Sequence, residues 1–137
     1  MKVTPYLLFN GNCEEAFKFY ESSIGAKIVH IMTHGNSPMA EGTPAEMRDK
    51  VLHASLKIDD AMLFASDAPP ARYEKPAGFS VTLNVDTPEE AERIFSELSA
   101  KGEVHMPIQE TFWAHRFGML VDHFGIPWMI DCEKPMQ

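Results

Sequence analysis

The chain has 137 residues, 45% of them hydrophobic, 10% aromatic and 23% charged, which suits one ordinary domain with its own core and no need of disulfides or a structural metal. Its 12 Lys and Arg against 20 Asp and Glu leave a net charge of −8. That balance repels phosphate backbones, and no Lys/Arg stripe overrides it, so nucleic acid is excluded as a partner. No run approaches the roughly eighteen apolar residues of a membrane span, and Met1-Lys2-Val3-Thr4-Pro5 has no charged leader followed by an apolar stretch. The expectation is a cytoplasmic protein without a membrane partner, and Cys13 and Cys132 make no disulfide framework.

Val3 to Phe9 is a short apolar run of strand length. Asn12 then offers an N-cap oxygen, with Glu15 three residues on, where a capping-box carboxylate belongs. Cys13, Ala16, Phe17, Tyr20 and Ile24 recur at helical spacing, and Gly25 supplies the stop. Lys27 to Thr33 predicts a second strand. His34 to Lys50, broken by Gly35, Pro38, Gly42 and Pro44, predicts a long loop. Val51 to Ile58 and Ala61 to Ser66 form a hairpin turning at Asp59-Asp60. Residues 68–78, with Pro69, Pro70 and Pro76, have the composition of a linker.

After the linker the pattern restarts. Phe79 to Val85 predicts a strand, Thr87 a cap, Pro88 the first helical position, and Glu90 a second capping-box carboxylate. Ala91, Ile94, Phe95 and Leu98 make the apolar stripe, and Gly102 is the expected end. An offset of 75 residues joins Asn12 to Thr87, Glu15 to Glu90, Ala16 to Ala91, Phe19 to Ile94 and Tyr20 to Phe95. Five matches in register, each set preceded by a strand and followed by a strand-rich tail, point to an internal duplication. The expected organisation is one α+β domain over 1–137: a first βαβββ module at about 1–67, the linker 68–78, and a second module at about 79–137. A single ferredoxin-like α+β sandwich is the competing arrangement.

The segments PYLLFNGNCEEAFKFY, LHASLKIDDAMLFASD and above all QETFWAHRFGMLVDHFGIPWMI resemble the PhnB-like group of the vicinal-oxygen-chelate superfamily, which includes glyoxalases, bleomycin-resistance proteins and dioxygenases. The resemblance covers essentially the whole chain and is weakest over residues 34–50. It implies the glyoxalase fold, in which tandem βαβββ modules form a cup-shaped mixed sheet, and a homodimer, with Phe124 and Trp128 as expected contacts. It also implies a divalent metal in the cup, held by His, Gln or Glu from the first and last strands of each module. By register those four positions fall at Pro5, Phe64, Ser80 and Met129. Proline and phenylalanine have no ligand atom, a serine hydroxyl is a poor donor, and a thioether suits soft copper. The expectation is therefore no metal and no other cofactor, with a divalent metal on non-standard ligands as the alternative. A methyltransferase label sometimes attached to the group finds no support in a glycine-rich strand-to-helix turn.

The six histidines, His30, His34, His53, His105, His115 and His123, lack the tight spacings of a metal knuckle. Strand alternation places Leu52, Ala54, Leu56 and Ile58 on one face and His53, Ser55 and Lys57 on the other, so His53 and Ser55 would look into the cup. His53 is thus the candidate acid/base group, a sheet-bound structural imidazole being the alternative. The same alternation assigns Ser66, Ser80 and Thr82 to the concave side beside Phe9, Phe64 and Met129. Trp113, His115 and Arg116 offer an aromatic wall and a guanidinium fork for a carboxylate or phosphonate, against the plainer alternative of a rim tryptophan and a surface ion pair. Cys13, at a helix start, is a candidate for a lowered thiol pKa but also belongs to the apolar stripe. The expected function is binding or sequestration of a small, partly apolar and in one version anionic compound, or metal-independent catalysis on it. A metal-dependent lyase, isomerase or dioxygenase is the rival, and a module with a vestigial cup is a third.

Overall fold

The computed structural model describes residues 1–135, and it divides into two compact units, Met1–Glu74 and Lys75–Gln137. Unit 1 contains β1 (Tyr6–Phe9), α1 (Cys13–Ile24), β2 (Lys27–Thr33), β3 (Val51–Ile58) and β4 (Ala61–Asp67). Unit 2 repeats the order with β5 (Val81–Asn84), α2 (Pro88–Ser99), β6 (Glu103–Gln109), β7 (Ala114–Val121) and β8 (Pro127–Glu133). Each unit has a four-stranded mixed sheet, ordered β1-β4-β3-β2 and β5-β8-β7-β6, in which the first and last strands run parallel and the other pairs antiparallel. The long loop after β2 carries three short 3-10 turns, at His34–Asn36, Ala40–Gly42 and Ala45–Met47. Among the described residues no helix is long and apolar enough to cross a membrane.

One helix covers one face of each sheet. Cys13, Ala16, Phe17 and Tyr20 are fully buried on α1 and meet Leu7, Phe9, Leu56 and Ala65 from the strands. In unit 2, Ala91, Ile94, Phe95 and Leu98 of α2 are buried with Leu120, Trp128 and Ile130. Each such leucine, isoleucine or phenylalanine contributes about 1.5–3 kcal/mol by leaving water, which is why the helix-facing side of each strand is apolar. Helix and sheet approach closely at Gly118, where a Cβ would lie 2.6 Å from the Phe95 ring.

Three features of the sequence reading change. The helices are related by the offset of 75, but their first strands are not: that offset pairs Leu7, buried under α1, with exposed Thr82. Because strand faces alternate, the connection between strand and helix differs by one residue in the two units, and Pro5 and Ser80 are not equivalent. Second, Phe9 faces α1, with its ring 6.1 Å from that of Phe17 and no exposure, so it is a core residue and not a cup residue. Third, the second helix ends at Ala100, and Lys101, at φ 64°, takes the left-handed position expected of Gly102; Gly25, at φ 72°, ends α1 as expected.

The start of α1 also departs from its expected cap. Thr87 caps α2 through its Oγ1, which accepts from the Glu90 N–H at 3.1 Å. Asn12 makes no such bond, and its Oδ1 is buried without a partner among the described residues. The anion at that helix end is Asp67 from the last strand, whose Oδ1 accepts from the Cys13 N–H and whose Oδ2 accepts from the Val51 N–H, each at 2.9 Å. We expect Asp67→Ala to destabilise the folded state by roughly 3 kcal/mol, because two buried donors lose their acceptor. Asn12→Ala should cost less than about 0.5 kcal/mol. Urea titrations of both variants check this, and equal losses would restore Asn12 as the cap.

Candidate functional site

On every strand the residues that do not face the helix form a second, open face. In unit 1 this face carries Tyr6 and Leu8 from β1, His53 and Ser55 from β3, and Phe64 and Ser66 from β4, with Tyr6 opposite Phe64 and Leu8 opposite Ser66. Tyr6 and Leu8 are about half exposed, whereas Ser55 is buried. The His53 ring centroid lies 5.8 Å from that of Tyr6 and 5.2 Å from that of Phe64, and its Nδ1 is 3.3 Å from the Tyr6 hydroxyl. His53, Ser55, Phe64 and Ser66 therefore share a face; Tyr6, which the sequence reading did not single out, completes it.

In unit 2 the open face bears a cavity of about 580 Å³ that opens to solvent. Its floor is apolar: Met119 and Met129 are neighbours across β7 and β8, with Phe79 and Pro127 beside them. Ser80, Lys75, Glu103 and His105 supply the polar atoms, and His105 Nε2 lies 3.4 Å from Glu103 Oε2. Of the residues expected here, Ser80 and Met129 line the cavity, whereas Thr82 pairs with Met129 across β5 and β8 but is not a lining residue. Phe79, Met119 and His105 were missed. Their signal was present in the alternation about Gly118 and Trp128, but a bulge in β6 between Val104 and Met106 breaks the parity that would have placed His105.

The segment 111–118 is not part of this cavity. Arg116 points to the helix side of β7, where its Nε donates to Glu92 Oε1 of α2 at 2.9 Å and its Nη1 to the carbonyl of His115. Arg116 has the parity of Gly118 and Leu120, which lie beneath α2, so the fork expected at a ligand is spent on an ion pair with that helix. Trp113 is 40% exposed and stacks edge-on with Phe112 and Phe117. His115 is half-buried near Glu110. Lys134, 2.8 Å from Glu110, holds that carboxyl below the usual carboxylate range, and the charges of Arg116 and His115 act in the same direction.

Phe124 and Trp128, expected at a dimer contact, are buried within unit 2. The run from Asp122 to Trp128 is a structural turn. Asp122 Oδ1 accepts the N–H groups of Phe124 and Ile126 at 2.8 and 3.0 Å, and Oδ2 accepts the Trp128 indole N–H at 2.8 Å. Gly125, at φ 90°, takes a backbone conformation that a side chain would disfavour. Cys13 is no nucleophile: burial, then the negative charge of Asp67, pushes its thiol pKa far up.

The family profile described as 3-demethylubiquinone-9 3-methyltransferase matches residues 1–131. The chain belongs to this PhnB-like family. It is 37% identical over 142 residues to protein YjdN of Escherichia coli K12, covering 98% of this chain and 97% of that one. Among solved structures, protein PA1353 of Pseudomonas aeruginosa superposes with a TM-score of 0.89 at 45% identity, covering 98% and 99% of the two chains. The PhnB protein of Bacillus cereus gives 0.80 at 25% identity, covering 96% and 99%. Fosfomycin-resistance protein FosX of Listeria monocytogenes, at 8% identity over 98% and 93% of the chains and a TM-score of 0.69, shares the fold alone. The fold is that of the vicinal-oxygen-chelate superfamily, as the resemblance implied.

Neither group that this membership brings to mind fits the residues. Of the four positions that the resemblance assigned to a divalent metal, Pro5 has the parity of helix-facing Leu7 and its carbonyl accepts the Phe64 N–H, and Phe64, Ser80 and Met129 bring no carboxylate or imidazole. Among the described residues no group of three His, Cys, Asp or Glu is placed to hold a metal ion. A nucleotide-like methyl donor would need free N–H groups at a strand-to-helix turn. Here Asp67 takes the Cys13 N–H, Thr87 takes the Glu90 N–H, and Pro88 has none to offer.

Asp131, two residues beyond Met129 on the same face of β8, is buried, and its Oδ1 has no hydrogen-bond partner among the described residues. Burial, then the charge of Glu133, raises its pKa. For a carboxyl raised on folding, the stabilising contribution is complete below the unfolded pKa and is lost as pH rises through the folded value. Asp131→Asn should therefore raise the melting temperature at pH 7, and the gain should shrink toward pH 4. A gain independent of pH, or a loss at pH 7, would show that the Asp131 carboxylate is compensated.

Proposed function

We propose that the chain binds a small, largely apolar compound on the open face of the β5-β8-β7-β6 sheet, without the superfamily's metal. The observation that carries this reading is the cavity: about 580 Å³ lies within the range of ordinary ligand sites, and an apolar floor with a few polar groups around it is their usual make-up. Met119 and Met129 favour an adaptable contact, since unbranched thioether side chains re-pack around differently shaped ligands. Phe79, half exposed at the cavity, offers an aromatic wall. The anionic version of the ligand rests on Lys75, which replaces Arg116 as the cation at the cavity.

A melting-temperature screen of neutral aromatics, carboxylates and phosphonates tests this. Neutral or acidic arenes should stabilise the protein in a saturable way, Phe79→Ala should weaken them about tenfold or more, and Arg116→Lys should leave affinity unchanged. No stabilisation by any compound, or a loss specific to Arg116→Lys, would overturn the cavity reading. Elemental analysis of the purified protein should find no stoichiometric zinc, nickel, iron or manganese. One metal per chain, lost together with thermal stability on chelation, would favour the metal-dependent alternative.

We further propose a homodimer. Tyr6, Leu8, Val29, Phe79 and Val104 are exposed apolar side chains on or beside the edge strands β1, β2, β5 and β6, and unpaired edges with apolar side chains are seldom left bare. Light scattering at low micromolar concentration should give the mass of two chains; the mass of one would exclude this.

A further inference from the structure

Three rings meet on the open face of unit 1. Tyr6, His53 and Phe64 come from three adjacent strands, and their centroids are separated by 5.8, 6.5 and 5.2 Å around the triangle. The Tyr6 hydroxyl lies 3.3 Å from His53 Nδ1, and no other polar group among the described residues engages that imidazole. The ring is half-buried, so Nε2 is the atom left to meet something else.

Two proton arrangements satisfy this contact, with opposite chemical consequences. If Nδ1–H donates to the phenol oxygen, Nε2 carries a lone pair, as a metal ligand or general base requires. If the phenol O–H donates to Nδ1, the ring proton sits on Nε2, which is then a hydrogen-bond donor. A phenol O–H is a stronger acid than a neutral imidazole N–H. An imidazole nitrogen is also a stronger acceptor than a phenol oxygen, whose lone pair is delocalised into its ring. The second arrangement is the stronger bond. We propose that Tyr6 is a positioning residue that fixes neutral His53 with its proton on Nε2, so that this face of unit 1 receives a hydrogen-bond acceptor, a carboxylate or phosphonate oxygen on an aromatic compound, and not a metal ion. Tyr6 and Phe64 flank the donor with apolar surface for the arene. The inference concerns unit 1 and does not rest on the cavity of unit 2.

The test is long-range proton–nitrogen NMR on the 15N-labelled full chain with His53 neutral, its signals identified by their loss in His53→Gln. The wild type should show Nε2 protonated and Nδ1 bare. Tyr6→Phe, which keeps the ring at a half-exposed position, should convert this to a mixture of tautomers. Benzoate or phenylphosphonate should shift the His53 ring signals in a saturable way, with affinity lowered roughly 3- to 10-fold in Tyr6→Phe. Equimolar zinc should leave those signals unbroadened. A wild-type proton on Nδ1, an unchanged tautomer in Tyr6→Phe, or zinc binding at His53 overturns the positioning role. Absence of a saturable shift with both probes overturns the acceptor site. None of these readouts depends on melting-temperature shifts caused by a ligand in unit 2.

Discussion

A carboxylate is buried at low cost in a small domain where N–H donors replace its water, and one in each unit meets that condition. Asp67 joins the last strand of unit 1 to the start of α1 and to β3; Asp122 closes the β7–β8 turn and holds the indole of Trp128. These bonds set where α1 begins and how Trp128 enters its core, so they set which strand face lies beneath a helix and which stays open. The candidate sites follow from that division. Asp131, buried on the open face without equivalent donors, is the exception, and its raised pKa records the cost.

Much of this was legible in the chain because local chemistry and global fold agree. The stripes of α1 and α2, the Thr87 cap with Pro88 behind it, the Gly25 stop and the Asp59-Asp60 turn are each settled within a few residues of sequence. What could not be read depends on a partner distant in sequence. Asn12 has the right chemistry to cap α1 but makes no cap bond, and a carboxylate 55 positions later in the sequence takes the first N–H of the helix, that of Cys13. Phe9 looked like a cup residue because the alternation was counted from a strand beginning at Val3 and tied to unit 2 by the offset of 75. One residue of difference in the strand-to-helix connection reverses the face.

The same parity argument explains why the segment with the densest apparent chemistry, 111–118, contributes least to the cavity. Arg116 shares the helix-facing side of β7 with Gly118 and Leu120 and meets Glu92 of α2, while the rings of Phe112 and Trp113 stack edge-on against each other. The most recognisable stretch, from Asp122 to Trp128, is likewise structural: its aspartate, glycine and tryptophan are a turn and the donors that close it. Motif strength and functional content separate here, because a turn that must satisfy three N–H groups constrains residue type more tightly than an apolar cavity floor does.

The buried carboxylates Asp67 and Asp122 are engaged by N–H groups of the fold, while Phe64, Ser80 and Met129 carry no carboxylate or imidazole. The open faces keep other functional groups: two thioethers, an aromatic wall and a lysine in unit 2, and an imidazole held by a phenol in unit 1. Thioethers and aromatic faces reward contact area and tolerate variation in shape. A ring proton fixed by a tyrosine rewards one acceptor oxygen and rejects a cation at the same nitrogen. The two faces therefore select in different ways, that of unit 2 by little more than size and that of unit 1 by polarity at one point.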